Sequence, residues 1–232
     1  MLRSTASLVV RHHWFATVGL AVVVSVFPIM DLWASGFFFD RAATAWTPRS
    51  NVMQFARSGV PPLIIGALLF CLTLWIAGRI FGQLFWDMTG RKAGFLLATI
   101  LLGPGLIVES FLKVYSGRAR PRDIIAFGGD DPFTPAIWLA DSCSRNCSFV
   151  SGHAALAFWV TAFAFLLPAG QRTLMLGAGI ALGLLMGLAR MAEGAHFLSD
   201  IIFAGLIVVG LNTYMAKVML DTVSTKEVGH GS

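Results

Sequence analysis

With 232 residues, of which 56% are hydrophobic and only 12% charged, and a mean hydropathy of +0.76, the chain is too apolar for a soluble globular domain. The formal charge of +5 and the pI near 9.6 would suit nucleic acid, but the basic residues stand between apolar stretches and form no Lys/Arg run. Anionic headgroups of a lipid bilayer are therefore the expected partner, and nucleic acid is not.

Apolar stretches occupy residues 14–36, 59–82, 93–115, 149–168, 173–191 and 197–217, each near the roughly 20 residues that a spanning helix needs. The expected fold is all-α: a polytopic membrane protein with a bundle of six transmembrane helices, forming a single domain over 1–232. The first stretch follows Arg3 and Arg11 and precedes Ala34-Ser35-Gly36, as a secretory signal would, but its apolar run is longer than a signal's core. Pro28, Pro61, Pro62 and Pro104 fall inside stretches where membrane helices tolerate kinks. One long polar connection, residues 116–148, joins the third and fourth helices, and function should concentrate there and at its edges.

Arg3, Arg11, Arg79, Arg91, Lys92, Arg172, Lys217 and Lys226 share one side of the bundle, which the positive-inside bias assigns to the cytoplasm. Arg41, Arg49 and Arg57 lie opposite. Three polar clusters mark helix ends: Lys113-x6-Arg120-Pro121, Ser151-Gly152-His153, and Arg190-x5-His196-x3-Asp200. The third helix ends at Lys113, the fourth begins at Ser151, the fifth ends at Arg190 and the sixth begins at His196. Alternation alone gathers these clusters at one membrane surface, the outer one, where the active site is expected.

Lys113, Arg120 and Arg190 supply cationic donors suited to a phosphate. Ser151 and Gly152 open a helix whose free N–H groups and dipole favour an anion, and Gly152 permits close backbone approach. His196 and Asp200, at i and i+4, suggest a carboxylate that bonds one imidazole nitrogen and leaves the other free as a nucleophile. His153, on another helix, then remains to protonate a leaving oxygen.

In these residues the chain resembles the type 2 phosphatidic acid phosphatase (PAP2) superfamily, whose signature reads K-x6-R-P, P-S-G-H and S-R-x5-H-x3-D. The match covers residues 113–200, with Val150 in place of the signature proline and Ala189 in place of its serine. The resemblance implies that His196 attacks phosphorus to form a phosphohistidine, that Asp200 orients it, and that His153 protonates the leaving alkoxide and then activates water. By the same resemblance Lys113, Arg120, Ser151, Gly152 and Arg190 hold the phosphoryl oxygens, with no metal and no cofactor. Every residue given a proton-transfer or charge-bearing role is present despite the two departures.

Several neighbours keep two readings. Arg118 and Arg122 flank Arg120, either as lipid-headgroup contacts in a second shell or as solvated loop cations. Glu109 lies four residues before Lys113 and either positions it or only stabilises the helix. Glu193, between Arg190 and His196, either tunes one of them or is an ordinary exposed turn carboxylate. Cys143 and Cys147 would form a disulfide if the loop faces an oxidising periplasm; a zinc site is the rival, short of ligands with two thiols. The tract from Phe127 to Thr134 either covers the site or selects headgroups, or is a plain structured loop.

The resulting expectation is a lipid phosphate phosphatase of a bacterial inner membrane with its site facing the periplasm. Its substrate is a phosphorylated membrane lipid: lipid A, phosphatidylglycerol phosphate, phosphatidic acid or undecaprenyl pyrophosphate. The stretch Cys147-Ser148-Phe149-Val150-Ser151-Gly152-His153 resembles lipid A phosphatases. A lipid-to-lipid phosphotransferase would carry the same motifs, and a lipid or anion transporter would need the cations but not the His196/Asp200 pair. Nothing in the sequence sets an oligomeric state.

Overall fold

The computed structural model describes residues 18–220, except 20 and 24. Arg3, Arg11, Lys226 and the start of the first apolar stretch lie outside the described residues. Helical residues between 18 and 26 lead through Phe27-Pro28 into α1 (Ile29–Gly36). A small antiparallel hairpin, β1 (Phe39–Asp40) and β2 (Ala45–Trp46), follows. Next come α2 (Asn51–Ser58), capped by the Ser50 hydroxyl, and α3 (Val60–Phe81), which starts on a proline pair.

Helix α4 starts at Gly90 behind a Thr89 cap and continues to Tyr115. Its middle, Leu101–Leu112, is wound as a π-helix around Pro104, which lacks the N–H that an α-helical ladder would use. Helix α5 (Gly152–Trp159) tightens into a 3₁₀ segment, Val160–Leu166; α6 (Ala169–Ala192) and α7 (Leu198–Met219) follow.

Among the described residues, four helices are long and apolar enough to cross a membrane: 51–81, 90–115, 169–192 and 198–219. The expected fourth span is shorter, Gly152–Leu166. It sits at the centre of the bundle, with Ala154, Ala155, Ala157 and Trp159 wholly buried against α6 and α7. A central helix needs less length because protein, not lipid, surrounds its ends. The six-helix count is thus an approximation to four long spans, one short central one and a first stretch described only in part.

With no difference in hydrophobicity between lipid tails and side chains, close packing and interhelical hydrogen bonds hold such a bundle together. Both are present. Trp159 Nε1 donates to Thr99 Oγ1 at 2.9 Å, and Asn212 Nδ2 donates to Thr161 Oγ1 at 3.0 Å, linking α4, α5 and α7. On α6, Gly183 and Gly187 let neighbours approach so closely that an added Cβ would stand 2.2 Å from the Phe158 ring and 2.4 Å from Ile201. Gly183→Val is expected to overpack this contact and cost about 1–3 kcal/mol, read as a lower thermal midpoint of the detergent-solubilised protein.

The loop 116–148 is ordered by its own packing. Phe39 and Trp46 of the hairpin each meet Phe127 edge-on, with centroids 5.2 and 5.1 Å apart, tying the hairpin to the loop. Phe133 meets Phe197 edge-to-face at 5.4 Å. The tract 127–134 is therefore a structured support that holds the segment next to His196, and none of its residues lines the cavity described below.

Candidate active site

A cavity of about 540 Å³ opens where α4, α5 and α6 reach one end of the bundle. Its lining includes Lys113, Arg120, His153, Arg190 and His196, drawn from all three sequence clusters. Ser151, Gly152 and Asp200 stand behind that lining, each buried. The parity argument thus holds in three dimensions.

His196 is 1% exposed and lies in the turn before α7 rather than on the helix. Its Nδ1 is 2.8 Å from the Ser148 carbonyl oxygen. A carbonyl can only accept, so Nδ1 carries the proton and Nε2 keeps its lone pair. The anticipated carboxylate–imidazole hydrogen bond is displaced: Asp200 Oδ2 stands 3.6 Å from Nδ1, an ion-pair distance too long for a hydrogen bond. Burial lowers the His196 pKa against the opposing pull of Asp200, and so favours the neutral, nucleophilic imidazole.

Asp200 has another set of partners. It accepts from Arg118 Nη1 at 2.6 Å, from Ser148 Oγ at 2.5 Å and from the Phe197 backbone N–H at 2.8 Å. The same residue, Ser148, therefore touches both His196 and Asp200, so the carboxylate orients the imidazole through Ser148 and the capped turn. Arg118 in turn gives Nη2 to Asp31 at 2.8 Å, Nη1 to Ser199 Oγ at 2.9 Å and Nε to the Thr134 carbonyl at 2.8 Å, while lying over the Phe197 ring at 4.2 Å. Asp31 also accepts from the Ser199 N–H and hydroxyl, at 2.8 and 2.6 Å. Reading Arg118 as a headgroup contact or a solvated loop cation is corrected here: it is 1% exposed and bridges two buried carboxylates. Its five donors satisfy both acids at once, which a solvated cation would not.

The cations of the cavity are held by separate means. Lys113 Nζ pairs with Glu109 at 2.9 Å, so Glu109 positions the lysine. Arg120 donates Nη2 to the Asn146 carbonyl at 2.7 Å, and burial, followed by the neighbouring Arg122 charge, lowers its pKa. Arg190 pairs with Glu193 through Nη1, while its buried Nε has no hydrogen-bond partner among the described residues. A buried donor with no partner in a cationic cavity fits an anionic ligand. The expectation of an exposed Glu193 is also corrected: it is 9% exposed and bridges Arg190 and Arg49, the latter at 3.0 Å. Arg122 is half exposed at the rim, 3.7 Å from Asp123.

Ser151 caps α5 by accepting from the Ala154 N–H at 3.4 Å. Gly152 packs directly on the Glu109–Lys113 pair, and a Cβ there would stand 1.9 Å from Glu109 Oε1 and 3.0 Å from Lys113 Nζ. Because the Glu109 side chain is half exposed and can swing away, Gly152→Ala is expected to fold but to lose that pair. A fall of roughly tenfold in kcat/KM with an unchanged thermal midpoint would show this.

Cys143 and Cys147 are joined by a disulfide, and Cys143 borders the cavity. Sequence reasoning missed Asp31, Ser148, Ser199, Arg57 and Arg145. Of these, Asp31 carried a usable signal, a lone acid within an apolar stretch. The others are ordinary polar residues whose placement depends on the fold.

Residues 91–222 match the PAP2 superfamily. The chain is 34% identical over 190 residues to the lipid A 4'-phosphatase of Francisella tularensis subsp. novicida (strain U112), covering 79% of this chain and 83% of the relative. It is 31% identical over 206 residues to the lipid A 4'-phosphatase of Rhizobium leguminosarum, covering 83% and 87%. To the lipid A 4'-phosphatase of Rhizobium etli it is 32% identical over 210 residues, covering 84% and 80%. No solved structure matches the chain.

Proposed function

The chain belongs to the PAP2 superfamily and is a membrane lipid phosphatase; from that premise we propose that it removes the 4'-phosphate of lipid A by way of a phosphohistidine on His196. The observation that carries the mechanism is one cavity holding two histidines from different segments together with Lys113, Arg120 and Arg190. The lone pair of His196 Nε2 attacks phosphorus in line with the ester oxygen, and that P–O bond breaks. His153 gives its proton to the departing alkoxide. It then takes a proton from the water that attacks the phosphohistidine, releasing inorganic phosphate and restoring the protonated His153 and the neutral His196. Lys113, Arg120 and Arg190 hold the phosphoryl oxygens as charge develops, and Ser151 and Gly152 present the helix N-terminus behind them. Asp200, through Ser148, keeps His196 in the nucleophilic tautomer.

The apolar helices and the bacterial relatives support a multi-pass protein of a bacterial membrane. We place it in the inner membrane as a single domain with the cavity facing the periplasm. The cytoplasmic assignment of Arg79, Arg91, Lys92 and Arg172 supports that orientation, as does a disulfide beside the site. There the headgroup meets the cavity while the acyl chains stay in the bilayer.

The test is phosphate release from lipid A by the detergent-solubilised protein, alongside phosphatidic acid, phosphatidylglycerol phosphate and undecaprenyl pyrophosphate. Lipid A is expected to be the preferred substrate, with release undiminished by chelator because the proposed steps use only side chains. Loss of activity on chelation would sink the mechanism, and preference for another lipid would sink the substrate. Release that required an acceptor lipid would instead identify a phosphotransferase.

A further inference from the structure

The cavity carries more positive charge than one phosphate group requires. Besides Lys113, Arg120 and Arg190, it is lined by Arg57, Arg122 and Arg145, against a single lining carboxylate, Asp123. Lys113 and Arg190 already have carboxylate partners in Glu109 and Glu193. Arg57 and Arg145 have no ion-pair partner among the described residues, and Arg122 only the long contact to Asp123 at 3.7 Å.

These three rim cations come from separate segments, and each segment is fastened in place. Arg57 lies in the last turn of α2, which packs on α6 and is tied to the Arg190 turn through Arg49 and Glu193 at 3.0 Å. The Arg122 backbone N–H donates to the Gly194 carbonyl at 3.0 Å. Arg145 belongs to the disulfide loop, which is anchored by the Cys147 N–H on the Lys113 carbonyl at 3.1 Å. Like charges crowded round one opening repel, and they do so least when an anion sits among them. A space of about 540 Å³ also exceeds what one phosphoryl group fills and is of the size that takes a headgroup.

We propose that Arg57, Arg122 and Arg145 form a second anion subsite at the mouth of the cavity, which selects headgroups bearing another phosphate or carboxylate besides the phosphate that is cleaved. The inference rests on the phosphatase reading of the inner cavity and narrows its substrate to multiply anionic lipids. The rim holds the second anion by charge-assisted hydrogen bonds, and so orients the first against His196.

The experiment measures binding rather than turnover. Glucose 6-phosphate and glucose 1,6-bisphosphate are titrated calorimetrically into the full chain in nanodiscs at one fixed ionic strength. The wild type should bind the bisphosphate at least about tenfold more tightly than the monophosphate. Combining Arg57→Gln, Arg122→Gln and Arg145→Gln should remove most of that ratio while leaving monophosphate binding within about threefold. Equal affinity of the wild type for the two probes, or binding of neither, would overturn the subsite, and the wild-type ratio decides this even if the triple variant folds poorly. Equal weakening of both probes in a folded triple variant would also overturn it, because the rim would then be only a general field. Lipid phosphate release assayed in parallel separates the two readings: turnover with a ratio near one removes the subsite alone, whereas an intact ratio without turnover removes the phosphatase reading.

Discussion

His196→Ala is expected to lower phosphate release by on the order of 10⁴-fold or more, because it removes the atom to which the phosphoryl group is transferred. The side chain is wholly buried, yet the change should leave the fold intact, since the Asp31–Arg118–Asp200 network does not run through the imidazole. His153→Ala should cost less, roughly 10²–10⁴-fold, as loss of a proton donor does. The two variants differ in a second readout. With a lipid bearing labelled phosphate, the wild type quenched during turnover should yield an acid-labile, base-stable phosphoprotein, and His196→Ala none. A label that survives in His196→Ala would assign the nucleophile elsewhere.

A substitution of Arg118 should have the largest effect on the fold. Arg118→Met would leave Asp31 and Asp200, 1% and 0% exposed, without their shared counter-ion. Breaking a buried pair by removing one partner costs about 3–5 kcal/mol, so the thermal midpoint in detergent should fall by roughly 10 °C. Arg118→Lys keeps the charge but has one nitrogen for two carboxylates, and should recover only part of the stability. An unchanged midpoint in Arg118→Met would mean that the two acids find other partners or take up protons. Asp31→Asn separates support from chemistry: it keeps the shape of the acceptor and leaves Arg118 wholly to Asp200, so a drop in kcat without a change in KM would show that the first helix acts on the nucleophile.

The clusters were legible in the sequence because membrane helices alternate direction, and helix ends alone brought Lys113, His153, Arg190 and His196 to one surface. The Glu109–Lys113 pair was legible in the same way, from its spacing on one helix. What spacing did not yield was the partner of each group. His196 and Asp200 are four residues apart, as a helical pair would be, yet α7 begins between them, and a backbone carbonyl 48 residues away accepts the hydrogen bond of the imidazole Nδ1–H. Arg118 and Arg122 look alike beside Arg120, but the fold turns the first inward between two acids and leaves the second at the rim. Such differences depend on how a loop closes over a bundle, and local pattern does not report that. The first helix shows the same limit, since Asp31 was visible as an isolated acid but its partner lies 87 residues on.

The match to the superfamily covers residues 91–222, and Asp31, Trp46, Arg49 and Arg57 all precede it. Asp31 holds Arg118, Arg49 holds Glu193, and Trp46 packs against Phe127, so the matched region leans on a portion of the chain that carries no signature of its own. A chimera that grafts the signature-bearing half onto a foreign N-terminal segment would retain every motif residue and still lose Arg118's second acid. The leading helix and hairpin are accordingly one unit with the loop they brace.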